Sequence, residues 1–175
     1  MRKVTFRVAN SLDGFIARKD GAFDWILGGD EATSMMSEFW KTIDTVLWGR
    51  KTYEPVLKSR EPVPTYLGVK NYVFSRTLKE SHSNNVEIIR GDAVEFVRRL
   101  KNQEGKGIFV MGGGELAKSL FEADLIDEIG LAIHPVLLGS GIPLFLHTNR
   151  QINLELLENQ TLKNGCVYLL YRVKR

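Results

Sequence analysis

The sequence predicts an α/β protein with a mixed, mostly parallel central sheet, helices on both faces and an antiparallel C-terminal hairpin. Short apolar runs rich in valine, isoleucine and phenylalanine alternate along the chain with amphipathic helical patterns. That order is typical of parallel strands covered by helices on both sides. Near the end, two strand patterns flank Asn164 and Gly165, and an Asn-Gly pair is a strong hairpin signal.

Each element has its own signal. Val4, Phe6 and Val8 alternate with polar residues, which predicts the first strand. After a loop at residues 11–25, an apolar helix face containing Met35, Met36, Phe39 and Trp40 predicts a helix over residues 30–42. A buried strand at 45–49, a short helix at 50–57, a loop marked by Pro62 and Pro64, and strands at 71–75 and 86–90 are predicted next. A helix capped by Asp92 and ending near residue 103 follows, then a strand at 107–111 and a helix at 115–123 that buries Leu116, Leu120 and Phe121. The last predicted elements are a strand that begins within 126–139 and runs into the GSGIP loop, and a hairpin within 151–173.

The composition indicates one ordinary globular domain over residues 1–175, with 43% hydrophobic and 26% charged residues. The formal net charge of +3, from 24 basic and 21 acidic residues, is too even to indicate nucleic-acid binding by itself. No apolar stretch is long enough for a bilayer, and the first residues form a strand pattern rather than a secretion signal. The single cysteine, Cys166, excludes an intrachain disulfide and fits a reducing compartment. We expect a cytoplasmic protein without a nucleic-acid or membrane partner.

Three predicted strands end in residues that suit phosphate, at 49–52, 75–77 and 112–114. Because the carboxyl ends of parallel strands share one edge of a sheet, we expect these junctions to meet. Arginines can fork onto phosphate oxygens, helix N-termini favour anions, and glycines allow close approach of the backbone. The number of basic groups favours a ligand with a phosphate beyond a plain diphosphate, such as NADPH. The groups concerned are Arg50, Thr52, Ser75, Arg76, Thr77 and the glycine triplet.

Each of these signals also fits a purely structural role. A glycine triplet is often a tight junction, Arg50 a solvated residue at a helix start, and residues 75–77 a simple turn. Neither the P-loop pattern nor the dinucleotide-binding G-x-G-x-x-G pattern is present. The spacing of His82, His134, His147 and Cys166 is not that of a zinc site, so we predict no metal.

Taken together, the chain resembles the dihydrofolate-reductase superfamily, and within it the reductase domain of bifunctional riboflavin-biosynthesis proteins, here in a stand-alone form. The resemblance covers nearly the whole chain. It rests on the segments SLDGFIA at 11–17, GRKTY at 49–53, VMGGGEL at 110–116, LIDEI at 125–129 and PVLLGSG at 135–141. It implies a dihydrofolate-reductase-like three-layer fold, an NADPH-dependent oxidoreductase acting on a small heterocycle, and a homodimer.

The resemblance also implies roles for residues. NADPH is expected across the carboxyl edge of the sheet, and the first Gly-Gly bond in this superfamily is often cis. Asp13 is the candidate catalytic residue, to orient substrate or relay a proton, with a simple Asp13-Gly14 turn as the alternative. The cofactor-binding candidates are Ala17, Gly49, Arg50, Lys51, Thr52, Ser75, Arg76, Gly112, Gly113, Gly114, Glu115 and Leu116.

The substrate is less well specified. The helix at 30–42 suggests an apolar slot for a flat heterocycle, although most of its residues also fit a core face. The substrate-binding candidates are Asp13, Phe15, Trp25, Met36 and Trp40. Phe15 stands where the riboflavin enzymes usually carry a basic residue, and YEPVL at 53–57 replaces their Asp-x-Pro-Leu-Thr-x-Arg segment. The deaminase half is missing. Three functions therefore stay open: reduction of a ribosylamino pyrimidine of riboflavin synthesis, reduction of another pteridine or heterocycle, and nucleotide binding without catalysis.

Overall fold

Residues 1–59, 68–79, 81 and 84–175 are described in the computed structural model. The helices in this part of the chain are Asp30–Lys41 (α1), Arg50–Ser59 (α2), Ala93–Lys101 (α3) and Gly114–Glu122 (α4). The strands are Val4–Ser11 (β1), Phe15–Ala17 (β2), Ile43–Gly49 (β3), Lys70–Phe74 (β4), Val86–Ile89 (β5), Gly107–Gly112 (β6), Glu128–His134 (β7), Ile142–Pro143 (β8), Leu154–Thr161 (β9) and Val167–Val173 (β10).

Eight strands form one sheet in the order β5-β4-β3-β6-β1-β7-β10-β9. The strands from β5 to β7 are parallel to their neighbours, and β10 runs antiparallel to both β7 and β9. The chain reverses between β9 and β10 at Gly165, whose φ of 87° suits the glycine of the predicted Asn-Gly turn. The α/β class, the mostly parallel sheet and the C-terminal hairpin are confirmed.

The helices cover the two faces of the sheet and bury two separate cores. On one face, Phe39 and Trp40 of α1 and Tyr53 of α2 pack against β3 and β6. On the other face, α3 and α4 bury a larger cluster that includes the predicted Leu116, Leu120 and Phe121. Successive side chains along each strand point to opposite faces of the sheet and so contribute to both cores. The molecule therefore has three layers, with the sheet between two layers of helices.

The element bounds differ from the prediction where tertiary contacts decide them. The Asp92 side chain accepts a hydrogen bond from the Glu95 backbone N at 2.9 Å, so the predicted cap is confirmed, but α3 ends at Lys101. The short strands β2 and β8 lie in segments predicted as loops, because their pairing joins residues that are distant in sequence. The predicted loop at Pro62 and Pro64 lies outside the described residues.

Candidate active site

The carboxyl edge of the parallel strands brings the predicted junctions together. Strands β4, β3, β6 and β1 are successive neighbours, so the residues that follow them line one continuous edge. In order along that edge are 75–77, 49–52, 112–116 and 11–17. The two central junctions each lead directly into a helix, α2 and α4, whose first backbone N–H groups have no partner within the helix. This edge is the candidate site.

The two central junctions touch each other through glycine. A Cβ atom on Gly49 would lie 2.9 Å from the Gly113 Cα and 3.2 Å from the Gly112 carbonyl oxygen. A Cβ on Gly113 would lie 2.9 Å from the Gly49 Cα, and the Gly113 φ of 100° is one that L side chains rarely adopt. Thr52 also packs against this contact, since its Oγ1 would lie 3.4 Å from a Cβ on Gly112. The glycines therefore let two helix N-termini meet side by side.

The cis peptide bond suggested by the resemblance is not present. All described peptide bonds, including Gly112–Gly113, are trans. The glycine triplet is instead explained by positive φ angles at Gly112 and Gly113 and by the contact with Gly49. Of the predicted residues that follow, Gly114 faces Leu146, Glu115 is exposed, and the Leu116 side chain belongs to the core. Leu116 could therefore contact a ligand through its backbone but not through its side chain.

The basic residues at the start of α2 differ in how far they are available to bind a ligand. Arg50 forms an ion pair with Glu54 one turn later, with 2.6 Å between Nη1 and Oε1. The neighbouring Lys51 is exposed and Thr52 is half-buried. An anion at this helix start would therefore meet Lys51, Thr52 and the backbone directly, whereas Arg50 would share its guanidinium with Glu54.

The junction after β4 is a hydroxyl-capped turn. The Oγ of Ser75, a residue 7% exposed, accepts hydrogen bonds from the backbone N of Thr77 at 3.2 Å and of Leu78 at 3.0 Å. Arg90, just after β5, donates to the carbonyl oxygens of Arg76 at 3.3 Å and Leu78 at 2.9 Å. Ser75 thus shapes the turn, and the exposed side chain of Arg76 is presented from it.

Asp13 braces the loop that follows β1. Its carboxylate accepts hydrogen bonds from Ser11 Oγ at 2.6 Å, from the backbone N of Leu138 at 3.1 Å and from that of Gly139 at 2.7 Å. The hydrogen bond from Ser11 lowers the pKa of Asp13, as do those from the two backbone N–H groups, although desolvation opposes them. An ionised carboxylate whose acceptor positions are used in this way suits a structural brace better than a proton donor.

A second contact joins the same two loops. Strand β2 pairs with β8, and a Cβ on Gly141 would lie only 2.2 Å from the carbonyl oxygen of Ala17. The Leu144 backbone N also donates to the Gly14 carbonyl oxygen at 2.9 Å. The loop at 11–17 is therefore fixed at both ends, with Phe15 half-buried between them.

The predicted substrate residues are not all brought to the edge. Met36 is 37% exposed on α1. Trp40, one turn later, is 9% exposed and packs edge-on against Phe109 with ring centroids 5.7 Å apart, which makes it a core residue and does not fit a ligand slot. Trp25 is buried against the ring of His134, and no described residue accepts a hydrogen bond from its Nε1.

Sequence reasoning missed three residues near this edge. Gly141 makes room for Ala17, Arg90 supports the turn that carries Arg76, and His134 ends β7 beside the loop. Arg90 carried a weak signal, because it ends the predicted strand at 86–90, and His134 carried one because it lies within the predicted strand segment at 126–139. Gly141 lies in the PVLLGSG segment of the resemblance, but its contact with Ala17 was not foreseen, since that partner is more than a hundred residues away.

Other classes of site have little support in the described residues. Within residues 1–59, 68–79, 81 and 84–175, no group of three His, Cys, Asp or Glu side chains could hold a metal ion. In the same ranges, no helix has the length and apolarity needed to cross a membrane. A shallow depression lined by Met1, Arg2 and residues 102–105 lies at the opposite edge of the sheet. The Arg2 guanidinium there is already paired with the Asp44 carboxylate and is not available to a ligand.

Comparisons with known proteins agree with this architecture. The family model of the RibD C-terminal domain matches residues 2–168. The uncharacterized protein YwjB of Bacillus subtilis (strain 168) is 40% identical over 156 residues, which cover 89% of this chain and 89% of that protein. The uncharacterized protein YyaP of the same strain is 34% identical over 180 residues, covering 97% of this chain and 94% of its own.

Solved structures give the same fold. A protein from Shewanella sp. PV-4, assigned by name to riboflavin biosynthesis, matches with a TM-score of 0.86 and 25% identity over the full length of both chains. The dihydrofolate reductase of Enterococcus faecalis, solved with NADP(H) and RAB-propyl, matches with a TM-score of 0.72 and 18% identity over 99% of this chain and 97% of its own. The bifunctional deaminase/reductase of Thermotoga maritima matches with a TM-score of 0.73 and 18% identity, over 99% of this chain and 57% of its own. The last two likenesses concern the fold, which is dihydrofolate-reductase-like. The family match over nearly the whole chain, together with these relatives, establishes that the chain belongs to the RibD C-terminal domain family.

Proposed function

We propose that this protein is an NADPH-dependent reductase of a small nitrogen heterocycle, of the type that reduces 5-amino-6-(5-phosphoribosylamino)uracil in riboflavin synthesis. The observation that carries the proposal is the contact between Gly49 and Gly113, which sets the N-termini of α2 and α4 side by side. Two helix N-termini and a bare backbone form a cradle for a diphosphate. The family membership and the bifunctional Thermotoga relative, whose name includes the reductase, support the same reaction class.

The residues of the edge fit NADPH. Lys51, Thr52 and the backbone N–H groups of residues 114–116 would hold the diphosphate, and Arg76 would reach the 2′-phosphate. Arg90 supports the carbonyl oxygens of that turn and adds positive charge beside it. When bound, NADPH supplies the hydride. The chain's own part is to bind the cofactor, hold loop 11–17 in place and exclude water, and Asp13 takes part as a brace rather than as an acid.

A second candidate substrate is a heterocycle without a ribose phosphate. In the region where the riboflavin enzymes bind that phosphate, Tyr53 is completely buried, and Glu54 is paired with Arg50. Phe15 adds an apolar side chain where a cation would be expected. This local chemistry favours a smaller and less charged substrate, such as a pteridine, with the same cofactor and the same reaction class.

The first experiment is a titration of the protein with NADPH and with NADH, followed by tryptophan quenching. We expect saturable binding with a preference for NADPH. Arg76→Ala should weaken the binding of NADPH by about tenfold or more and leave the binding of NADH nearly unchanged. Only NADPH carries the 2′-phosphate that a charge-assisted hydrogen bond from Arg76 would hold. Arg99→Ala is the matched control, since it removes the same charge from the last turn of α3 at the far edge of the sheet.

Turnover assays then separate the candidate functions. Oxidation of NADPH with the phosphoribosylamino pyrimidine supports the riboflavin reaction, and oxidation only with a dihydropteridine supports the second candidate. Saturable NADPH binding with no hydride transfer to either acceptor supports a nucleotide-binding module without catalysis. Absence of binding for both cofactors contradicts the proposed function.

A further inference from the structure

His134 connects three segments that are far apart in sequence. It ends β7 beside Ser11 of β1 and is 3% exposed. Its Nδ1 atom lies 3.2 Å from the backbone N of Leu27 and 3.2 Å from the Sγ of Cys166. The ring of Trp25 meets it edge-on, with centroids 5.3 Å apart. One buried imidazole therefore contacts both the segment before α1 and the C-terminal hairpin.

The hairpin holds the same segment through two further contacts. The side-chain Nδ2 of Asn164 donates to the Gly28 carbonyl oxygen at 3.0 Å. The backbone N of Lys163 donates to the Glu31 carboxylate, in the first turn of α1, at 2.7 Å. We call residues 25–29 the anchored segment. Its position fixes where α1 begins.

We propose that His134, in its neutral form, is the positioning residue that holds the anchored segment, and thereby the start of α1, against the end of the sheet. A backbone N–H can only donate, so the Nδ1 that receives the Leu27 N–H carries no proton, and the imidazole proton is on Nε2. The Cys166 thiol can then donate to Nδ1 as well. Protonation of Nδ1 would remove this acceptor, and the new Nδ1–H group would repel the Leu27 backbone N–H.

The other titratable groups on the segments around His134 include Cys166, Asp13, Glu31 and Lys163. Burial raises the pKa of Cys166, so it stays a thiol near neutrality. The hydrogen bond from Ser11 lowers the pKa of Asp13, so it stays ionised. Glu31 and Lys163 lie within 3.9 Å of each other as an ion pair.

Burial lowers the pKa of His134 below its ordinary value of 6.5, because the charged form loses hydration. The folded chain thus favours the neutral imidazole. Anchoring is fully present above that ordinary value and is lost as the pH falls through the lowered pKa. The anchoring does not depend on enzyme activity. Its consequence for substrate binding rests on the proposed function, because α1 carries Met36, an exposed substrate-binding candidate.

The test is an NMR study of the full chain without cofactor or substrate. At about pH 8 we expect imidazole nitrogen shifts of the Nε2–H tautomer and a protected Leu27 amide. As the His134 resonance titrates in acid, the Leu27 protection factor should fall by about tenfold or more, in step with it. A Leu27 protection factor that stays constant while His134 titrates would overturn the proposal, and so would the Nδ1–H tautomer.

Variants make the test specific. His134→Asn offers an amide oxygen near the Nδ1 position and should keep Leu27 protected at both ends of the pH range, whereas His134→Leu should lose the protection at every pH. His147→Leu, at a histidine outside the core, is the matched control and should change nothing. If His134→Leu does not fold, the titration of the unaltered chain still decides. In an active enzyme, His134→Asn should preserve the KM for the heterocycle in acid, while the Kd for NADPH stays the same in all variants.

Discussion

At the scale of single residues, Asp13 shows how a family role depends on the local hydrogen bonds. The segment SLDG suggests a catalytic role for Asp13, yet its carboxylate accepts hydrogen bonds from the Ser11 hydroxyl and from two backbone N–H groups. Two of them come from backbone N–H groups of residues 138 and 139, which no sequence pattern connects to Asp13. The residue was found from the sequence, but its partners were beyond reach, since the contact spans 125 positions.

We expect Asp13→Ala to free the 136–139 loop rather than to remove a proton donor. The Leu138 and Gly139 amides should lose protection from hydrogen exchange, because their acceptor is gone. Asp20→Ala is the matched control: Asp20 caps only its own turn, through the Ala22 backbone N at 2.9 Å, and the two amides should be unaffected.

The pH dependence gives the same prediction an independent check. Because the hydrogen bond from Ser11 lowers the pKa of Asp13, the brace is present above the ordinary value of 3.8 and is lost only as acid reaches the lowered pKa. The two amides should therefore stay protected through pH 5 to 8, roughly the range in which histidine titrates. A rate that requires protonated Asp13 within that range would contradict the bracing role.

At the scale of elements, the contact between the β3–α2 and β6–α4 junctions is the feature on which the proposed cofactor site depends. The sequence indicated both junctions and the edge they share, because glycine and basic residues at the ends of parallel strands are typical of phosphate binding. It did not indicate that Gly49 and Gly113 touch, since that follows from the register of β3 against β6. Strands β2 and β8 escaped prediction for the same reason: they are short, and their pairing is not local.

Gly113→Ala tests this junction. We expect a loss of about 1–3 kcal/mol in the free energy of unfolding, because the added Cβ meets the Gly49 Cα at 2.9 Å and the φ of 100° is strained for alanine. NADPH affinity should fall as well, since the two helix N-termini must separate. Urea unfolding and the cofactor titration measure the two effects. Gly91→Ala is the control, because a Cβ there meets nothing within 4 Å, and it should leave both unchanged.

At the scale of the whole molecule, the fold was far more predictable than the site. Strand and helix periodicity reaches across most elements, so the α/β class and the C-terminal hairpin follow from local patterns. The site depends on which side chains are already engaged. Trp40 packs in the core against Phe109, and Arg50 forms an ion pair with Glu54. Residue type alone does not predict either contact. The residue patterns at the strand ends predicted the edge, and the structure shows which side chains on it are already engaged in other contacts.

The outer strand β9 carries the last prediction, which concerns assembly. β9 ends the sheet, and all eight of its residues are exposed, among them Leu154, Leu156 and Leu157. An exposed edge strand with apolar side chains can pair with another strand, and pairing with a second copy about a twofold axis is self-complementary. We therefore propose a homodimer through β9.

Light scattering after size-exclusion chromatography should give the mass of two chains. Leu156→Glu should shift the protein to monomer, because it puts a charge on the apolar side of β9 in both copies, while the far-ultraviolet circular dichroism stays unchanged. Phe23→Glu changes a residue that is even more exposed, at 63%, but lies on the loop before α1, so the dimer should persist. A monomeric unaltered chain would exclude this interface. A dimer that survives Leu156→Glu would mean that the two copies meet through another surface.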